Sequence, residues 1–371
     1  MDLEKLVIPR DYVESITENI SHNKITLDYY QLLAKDSEFN FEFATEHELV
    51  KKQIKNKTIE NKIDRIANCN RYWTLDKWDI QKIKAFKKTN LCRDKFCNNC
   101  KKVKQASRMA KYIPELEPYR QNIYHMVLTA PNVPGIDLKA SINRQNKAFR
   151  MIIRYLAGDL KIKGLDFIKY GYRGAVRSNE VTYRGDSYHP HMHIAIILEN
   201  GPTCEQKTIT NRYSFHYNEL RRLFSEFEIL IQKIFYLLYN GIRVTKKEID
   251  SLSEGFSCIV DYFSDSDYAE LFKYMTKSTD QDGTVMSYGN FKVLEDGLHS
   301  LRQIQGYGCL YNVKDDGIDE EEIVEIWSDI VNYLNKIENP VEVRETPQDL
   351  SKDNVYTLIS PKRIYTYLRQ L

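Results

Sequence analysis

Three of the eight histidines fall within five residues, His189-Pro190-His191-Met192-His193, directly ahead of the apolar run Ile194-Ala195-Ile196-Ile197-Leu198. In an extended strand alternate side chains share a face, so positions 189, 191 and 193 point the same way. Imidazoles gathered on one rigid face can hold a divalent cation. Three solvent-exposed strand histidines are the bland alternative, and a strand that runs straight into apolar sequence argues against it. Residues 171–183 and 188–198 both read as strands, joined by Arg184-Gly185-Asp186-Ser187, and should pair as a hairpin. A turn centred between Gly185 and Asp186 sets Glu180 opposite His191. The expected site is therefore His191 and His193, with Glu180 or His189 completing the shell. Imidazole plus carboxylate suits Mn²⁺ or Mg²⁺, and open positions imply Lewis-acid chemistry.

A second constellation is Cys92-x4-Cys97-x2-Cys100, with Cys69 upstream. Four thiolates in tetrahedral reach make a structural Zn²⁺ site, closed to substrate. Arg93, Lys95, Lys101 and Lys102 would offset its negative charge and favour deprotonated sulfur. Nothing local fixes Cys69 as the fourth ligand. Cys204, Cys258 and Cys309 are isolated and read as small core residues.

A third pattern is Glu270-Leu271-Phe272-Lys273-Tyr274. On a helix the i,i+4 spacing puts Glu270 and Tyr274 on one face, and Lys277 follows three residues on. A phenol can attack phosphorus as a nucleophile, a carboxylate one turn away can activate water or a hydroxyl, and Lys277 can ease the phosphate charge. Taken alone this is an ordinary amphipathic helix, and with 26 tyrosines in the chain residue type nominates none. Beside a metal-binding strand it gains a task.

The elements that must position these groups are legible in outline. The chain has 371 residues, 42% hydrophobic and 29% charged, enough for two or three domains with real cores. No stretch approaches a membrane span, the N-terminus lacks the pattern of a signal peptide, and seven clustered cysteines do not form a secreted disulfide framework, so a reducing cytosol is expected. The net charge of +2 conceals a segregation. Residues 77–111 carry about +10 and residues 311–350 about −9. The basic stripe, with Arg93, Lys95, Lys101, Lys102, Lys104 and Arg108, is the footprint of phosphate binding. Residues 1–65 read as a helical region, with a helix over 48–66, and residues 66–115 as the zinc-binding region. Residues 116–310 read as a catalytic domain and residues 311–371 as an acidic helix and tail. Within the third segment, strands are expected over 124–129 and 256–263 and helices over 137–157, 217–239 and 266–277. That order describes an α+β fold, a central antiparallel sheet with helices on one side.

The ordered set of Leu91–Cys100, Val127-Leu-Thr-Ala-Pro-Asn132, Asn179–Tyr183 leading to His189–His193, and Glu270-x3-Tyr274-x2-Lys277-x2-Asp280 resembles the replication initiators of Gram-positive rolling-circle plasmids. These belong to the endonucleases named for a His-hydrophobic-His motif, with a ferredoxin or RRM-like sheet. The resemblance covers residues 65 to 310. It implies that His191 and His193 hold the divalent ion, that Glu180 matches the acidic position of the preceding strand, that Tyr274 is the nucleophile and that Glu270 serves the terminating step. It also implies nicking of single-stranded or hairpin origin DNA in the bacterial cytoplasm, a 5′-phosphotyrosyl link and a free 3′ hydroxyl. The implied partners are plasmid origin DNA, host helicase and polymerase, and a second copy of the chain on DNA, with no membrane. Asn98-Asn99 departs from relatives that carry Pro before the last cysteine. A conjugative relaxase or single-strand transposase would share the chemistry. A non-catalytic zinc-containing single-strand binder would explain the basic stripe but leave Glu180, His191 and His193 idle. A simple metallohydrolase would leave the helix tyrosine without a task.

Overall fold

The structure, a computed structural model, describes residues 5–7, 10–38, 46–78, 83–202, 209–210, 223–272, 285–313 and 352–358. The chain divides into two compact units, Met1–Arg108 with Asp316–Leu371, and Met109–Asp315.

The first unit opens with strand β1 (Lys5–Val7) and two long helices, α1 (Arg10–Glu38) and α2 (Glu46–Ala67), in line with the helical reading of the N-terminal region. Strands β2 (Tyr72–Trp78) and β3 (Ile83–Thr89) follow and pair antiparallel. They join β1 on one side and residues Lys352–Leu358 on the other in a four-stranded sheet. The sequence reading placed no strands here, because the lysines of 77–88 break the apolar alternation that marks a strand. Helix α3 (Asn98–Leu116) begins inside the cysteine motif.

The second unit is the α+β sheet expected from sequence. It runs β4 (Ile123–Thr129), β5 (Val133–Pro134), α4 (Leu138–Leu156), β6 (Tyr172–Arg184) and β7 (Ser187–Leu198). A short pair, β8 (Ile209–Thr210) and β9 (Leu223–Phe224), precedes α5 (Glu226–Tyr239), α6 (Lys246–Ser251), β10 (Ser257–Tyr262) and α7 (Asp265–Leu271). Helix α8 (Tyr288–Gly297) and strand β11 (Ile304–Gly308) complete it. The main sheet has the order β10-β4-β7-β6-β11, antiparallel throughout, with β5 beside β7.

Strand pleating divides the labour of this sheet. Met126, Leu128, Met192, Ile194, Ile196 and Val260 form one core with Phe149 and Ile152 of α4 and Phe227, Ile231 and Phe235 of α5. His125, Glu180, His191 and His193 occupy alternate positions along the same strands and therefore the opposite face. The β6–β7 turn sets this arrangement. Its two central residues are Gly185 and Asp186, with Gly185 at φ +57°, the first loop position that a type II′ turn gives to glycine.

Several boundaries differ from expectation. The helix expected over 217–239 begins at Glu226, because Ser225 and Glu228 close a capping box there: the Ser225 amide donates to Glu228 Oε2 at 2.7 Å and the Glu228 amide to Ser225 Oγ at 3.2 Å. The described helix after the last predicted strand spans Asp265–Leu271, and residues 273–284 lie outside the described residues. Strand β11 had no sequence signal, since two glycines in Ile304–Gly308 mask its β character. The acidic helix expected over 318–337 also lies outside the described residues.

Candidate metal centre

The hairpin register is the one the turn demanded: Glu180 pairs with His191, Ser178 with His193 and Thr182 with His189. Glu180, His191 and His193 bring ligand atoms within 4.8 Å of one another. Glu180 Oε2 lies 3.4 Å from His191 Nε2 and 3.2 Å from His193 Nε2. The His191 Nδ1–H donates to the His189 carbonyl at 3.2 Å, which turns its Nε2 toward the carboxylate. Two imidazoles and one carboxylate converging on a point are a donor set that fits a divalent cation. The side chains are 13%, 12% and 5% exposed for His191, His193 and Glu180, so the group is recessed yet reachable. The His189 ring lies tilted against the His191 ring, centroids 5.2 Å apart, outside this group. Burial, with the neighbouring His191, lowers its imidazole to about 4. Burial also lowers His193, against the opposing pull of its Glu180 contact.

Sequence reasoning missed two residues of this centre. His125 of β4 lies on the same face, its ring stacked on His193 at 5.3 Å, with Nε2 3.1 Å from His193 Nδ1. Its other nitrogen, Nδ1, lies 2.8 Å from Oδ1 of Asp267 on α7. Asp267 in turn accepts from the Ser264 amide at 2.6 Å and the Ser264 hydroxyl at 2.7 Å. Burial works to raise this carboxyl, but the hydrogen bonds from His125 and Ser264 prevail and bring it to about 2. A lone polar residue in the run Ile123–Thr129 was the available signal for His125, and Ser264-x-x-Asp267 read as a capping box was the one for Asp267.

The cysteine group is the deeper of the two. Cys69, Cys92, Cys97 and Cys100 are all buried, their Sγ atoms within 4.8 Å of one another. The Cys69–Cys97, Cys69–Cys100 and Cys92–Cys100 sulfur separations are 3.8, 3.7 and 3.5 Å. Cys69, the ligand that nothing local fixed, stands among the other three. Asn70 and Arg93, each following a cysteine, sit in the left-handed region at φ +63° and +59°, and these bends turn the chain back so that the Cys92 amide reaches Cys69 Sγ and the Arg93 amide reaches Cys100 Sγ. Asn19 and Asn23, one turn apart on α1, direct Nδ2 groups at Cys97 Sγ from 3.3 and 3.5 Å. Hydrogen bonds from Cys100, Cys69 and Cys92 hold Cys97 well below the usual thiol value, while Cys69 and Cys92 drive Cys100 up. Cys97 is thus an easier thiol to ionise than Cys100, and a bound cation would favour loss of the thiol protons. Of the isolated cysteines, Cys258 is in the sheet core, Cys309 is exposed rather than buried, and Cys204 lies outside the described residues.

A replication-protein family model matches residues 83–212, a span that holds Cys92, Cys97, Cys100, Glu180, His191 and His193. "Protein rep" of Staphylococcus aureus is 33% identical over 174 residues, which cover 43% of this chain and 70% of that protein. The chain belongs to the replication-protein family. A second relative, "Protein rep" of Streptococcus pneumoniae serotype 2, is 24% identical over 151 residues, covering 38% of this chain and 43% of that protein. No solved structure matches.

In this replication-family chain the remaining predicted residues separate into groups. Glu270 lies half-buried on α7, one turn beyond Asp267, whereas Tyr274 and Lys277 lie outside the described residues. Among the basic residues Arg93, Lys102 and Lys104 are exposed, and Lys95 is half-buried with Nζ 5.4 Å from the Phe96 ring centre. Lys101 and Arg108 are buried, which removes them from the surface set expected to meet phosphate. Burial brings the Lys101 ammonium down to about 8, against the pull of Cys97 and Asp94, so its charge serves the cysteine region. Among the described residues no helix is long and apolar enough to cross a membrane.

Proposed function

We propose that this chain initiates rolling-circle plasmid replication by nicking single-stranded or hairpin origin DNA in the bacterial cytoplasm. The observation that carries the reading is the recessed convergence of Glu180, His191 and His193 on one sheet face in a member of the replication-protein family. Glu180, His191 and His193 would hold Mn²⁺ or Mg²⁺, which when bound supplies Lewis-acid polarisation of a phosphate oxygen. Tyr274 Oη attacks the scissile phosphorus: a P–O(Tyr) bond forms as the phenolic proton passes to water, the P–O3′ bond breaks, and the 3′ oxygen takes a proton from water and leaves as a primer hydroxyl. Lys277 offsets phosphate charge beside the tyrosine. In the terminating step Glu270 takes the proton of an attacking water or strand hydroxyl, whose oxygen displaces Tyr274 from phosphorus. His189 stands behind His191 and orients it through its carbonyl. Cys69, Cys92, Cys97 and Cys100 would hold Zn²⁺ as a structural ion. Arg93, Lys95, Lys102 and Lys104 meet the DNA backbone, and assembly of copies on the origin together with host helicase and polymerase completes the picture.

The test is incubation of the full chain with labelled single-stranded origin DNA and Mn²⁺. A denaturation-resistant protein–DNA adduct at the 5′ end, lost in Tyr274→Phe, is the expected result. An adduct that persists in Tyr274→Phe reassigns the nucleophile. Binding without cleavage at any metal concentration returns the chain to the single-strand binding class.

A further inference from the structure

We infer that His125 and Asp267 are positioning residues of the metal centre: together they hold the His193 ring through its Nδ1, so that its Nε2 faces Glu180 and an incoming cation. This rests on the metal-binding reading above. Ionised Asp267 can only accept, so the 2.8 Å contact requires a proton on His125 Nδ1. With a cation on His193 Nε2, the proton of that ring would sit on Nδ1 and point at His125 Nε2, which would accept it. The 3.1 Å contact between His125 Nε2 and His193 Nδ1 is that hydrogen bond. His193 Nε2 itself lies 3.2 Å from Glu180 Oε2, to which it donates without a cation, and His191 Nε2 lies 3.4 Å from the same oxygen. A cation would take the place of the proton between these atoms, and the Nδ1 contact would keep the His193 ring turned toward it.

The chain of contacts also spans the fold. His193 stands on β7, His125 on β4 beside it, and Asp267 on α7, the helix that carries Glu270. The Ser264 hydrogen bonds hold the Asp267 carboxylate, and the edge of Phe263 packs 6.2 Å from the His125 ring. Rotation of His125 is opposed on both sides, so the orientation it passes to His193 is preset before a cation arrives.

The experiment titrates Mn²⁺ into the zinc-loaded full chain, with free Mn²⁺ followed by electron paramagnetic resonance. His191→Ala with His193→Ala should abolish the high-affinity site; retention of Mn²⁺ binding there sinks the underlying metal reading itself. With that control in place, His125→Ala and Asp267→Asn should each weaken Mn²⁺ roughly 10–100-fold. His125→Gln, whose amide can accept from His193, should recover most of the loss, which a merely space-filling role would not predict. Unchanged affinity in both His125→Ala and Asp267→Asn, in proteins with wild-type melting, overturns the proposal. A second readout is independent of mutant folding: ¹⁵N-histidine spectra of the Mg²⁺-loaded wild type should show His193 and His125 both protonated at Nδ1. A His193 protonated at Nε2 in that state overturns it as well.

Discussion

The cysteine group and the histidine group are both metal-competent clusters, and they differ in what surrounds the donors. The four cysteines are 6% exposed or less, each sulfur faces only other protein groups, and Asn19 and Asn23 cover Cys97. The histidine group has one carboxylate and two imidazoles, and its two rings retain more than 10% exposure. A tetrahedral ion takes four donors, so the first cluster would fill a coordination shell and the second would leave it open. The comparison teaches that burial and donor count, more than residue type, separate an ion that holds a fold from one that meets a substrate.

That contrast can be broken most sharply by removing each metal. Stripping zinc, or replacing Cys97 with Ser, should unfold the first unit, because a structural four-thiolate site contributes on the order of 10 kcal/mol. The check is loss of its thermal transition together with loss of stoichiometric zinc. If the first unit melts normally without zinc, the cysteines are not a structural site. His191→Ala should leave both melting transitions in place and lower nicking by about 10³-fold, the equivalent of several kcal/mol of transition-state stabilisation. Single-turnover cleavage at fixed Mn²⁺ reads this directly. Glu270→Gln should spare the first cleavage and slow the terminating step by roughly 10²-fold or more, seen as adduct that accumulates and persists. Asn19→Ala should cost about 1–3 kcal/mol of stability, since it removes a hydrogen bond to a thiolate, without changing nicking by the folded protein. The smallest effect concerns Asp267. Its folded value, about 2, lies below its ordinary 3.8, so its contribution to stability is fully present above pH 4 and is lost as pH falls toward 2. Asp267→Asn should flatten the acid limb of a stability–pH curve in that window, and an unaltered limb would remove Asp267 from the network.

What the sequence made legible follows from how far apart the partners lie. Glu180 opposite His191 was readable because a two-residue turn allows a single register, and pleating then settles the face. Cys92, Cys97 and Cys100 were readable because a loop and one helical turn hold them together. Cys69 needed the left-handed bends at Asn70 and Arg93 and the strand pair between them, which no local pattern announces. His125 and His193 are separated by 68 positions and meet only through the β4–β7 pairing. Lys101 and Arg108 illustrate the converse limit: charge counted along a chain says nothing of which side of α3 carries it, and the structure takes both inside.

The hairpin has a temporal consequence. Glu180 and His193 are only thirteen positions apart, and hairpins of this kind close in about 1–10 μs, so the proposed cation ligands can come together once the chain has been made to the end of β7. Helix α7 and the residues beyond it leave the ribosome later, at roughly 5–20 residues per second. On the roles proposed for Glu270 and Tyr274, a nascent chain would carry its cation ligands for seconds before those residues are added, and could not cut DNA until synthesis has passed them.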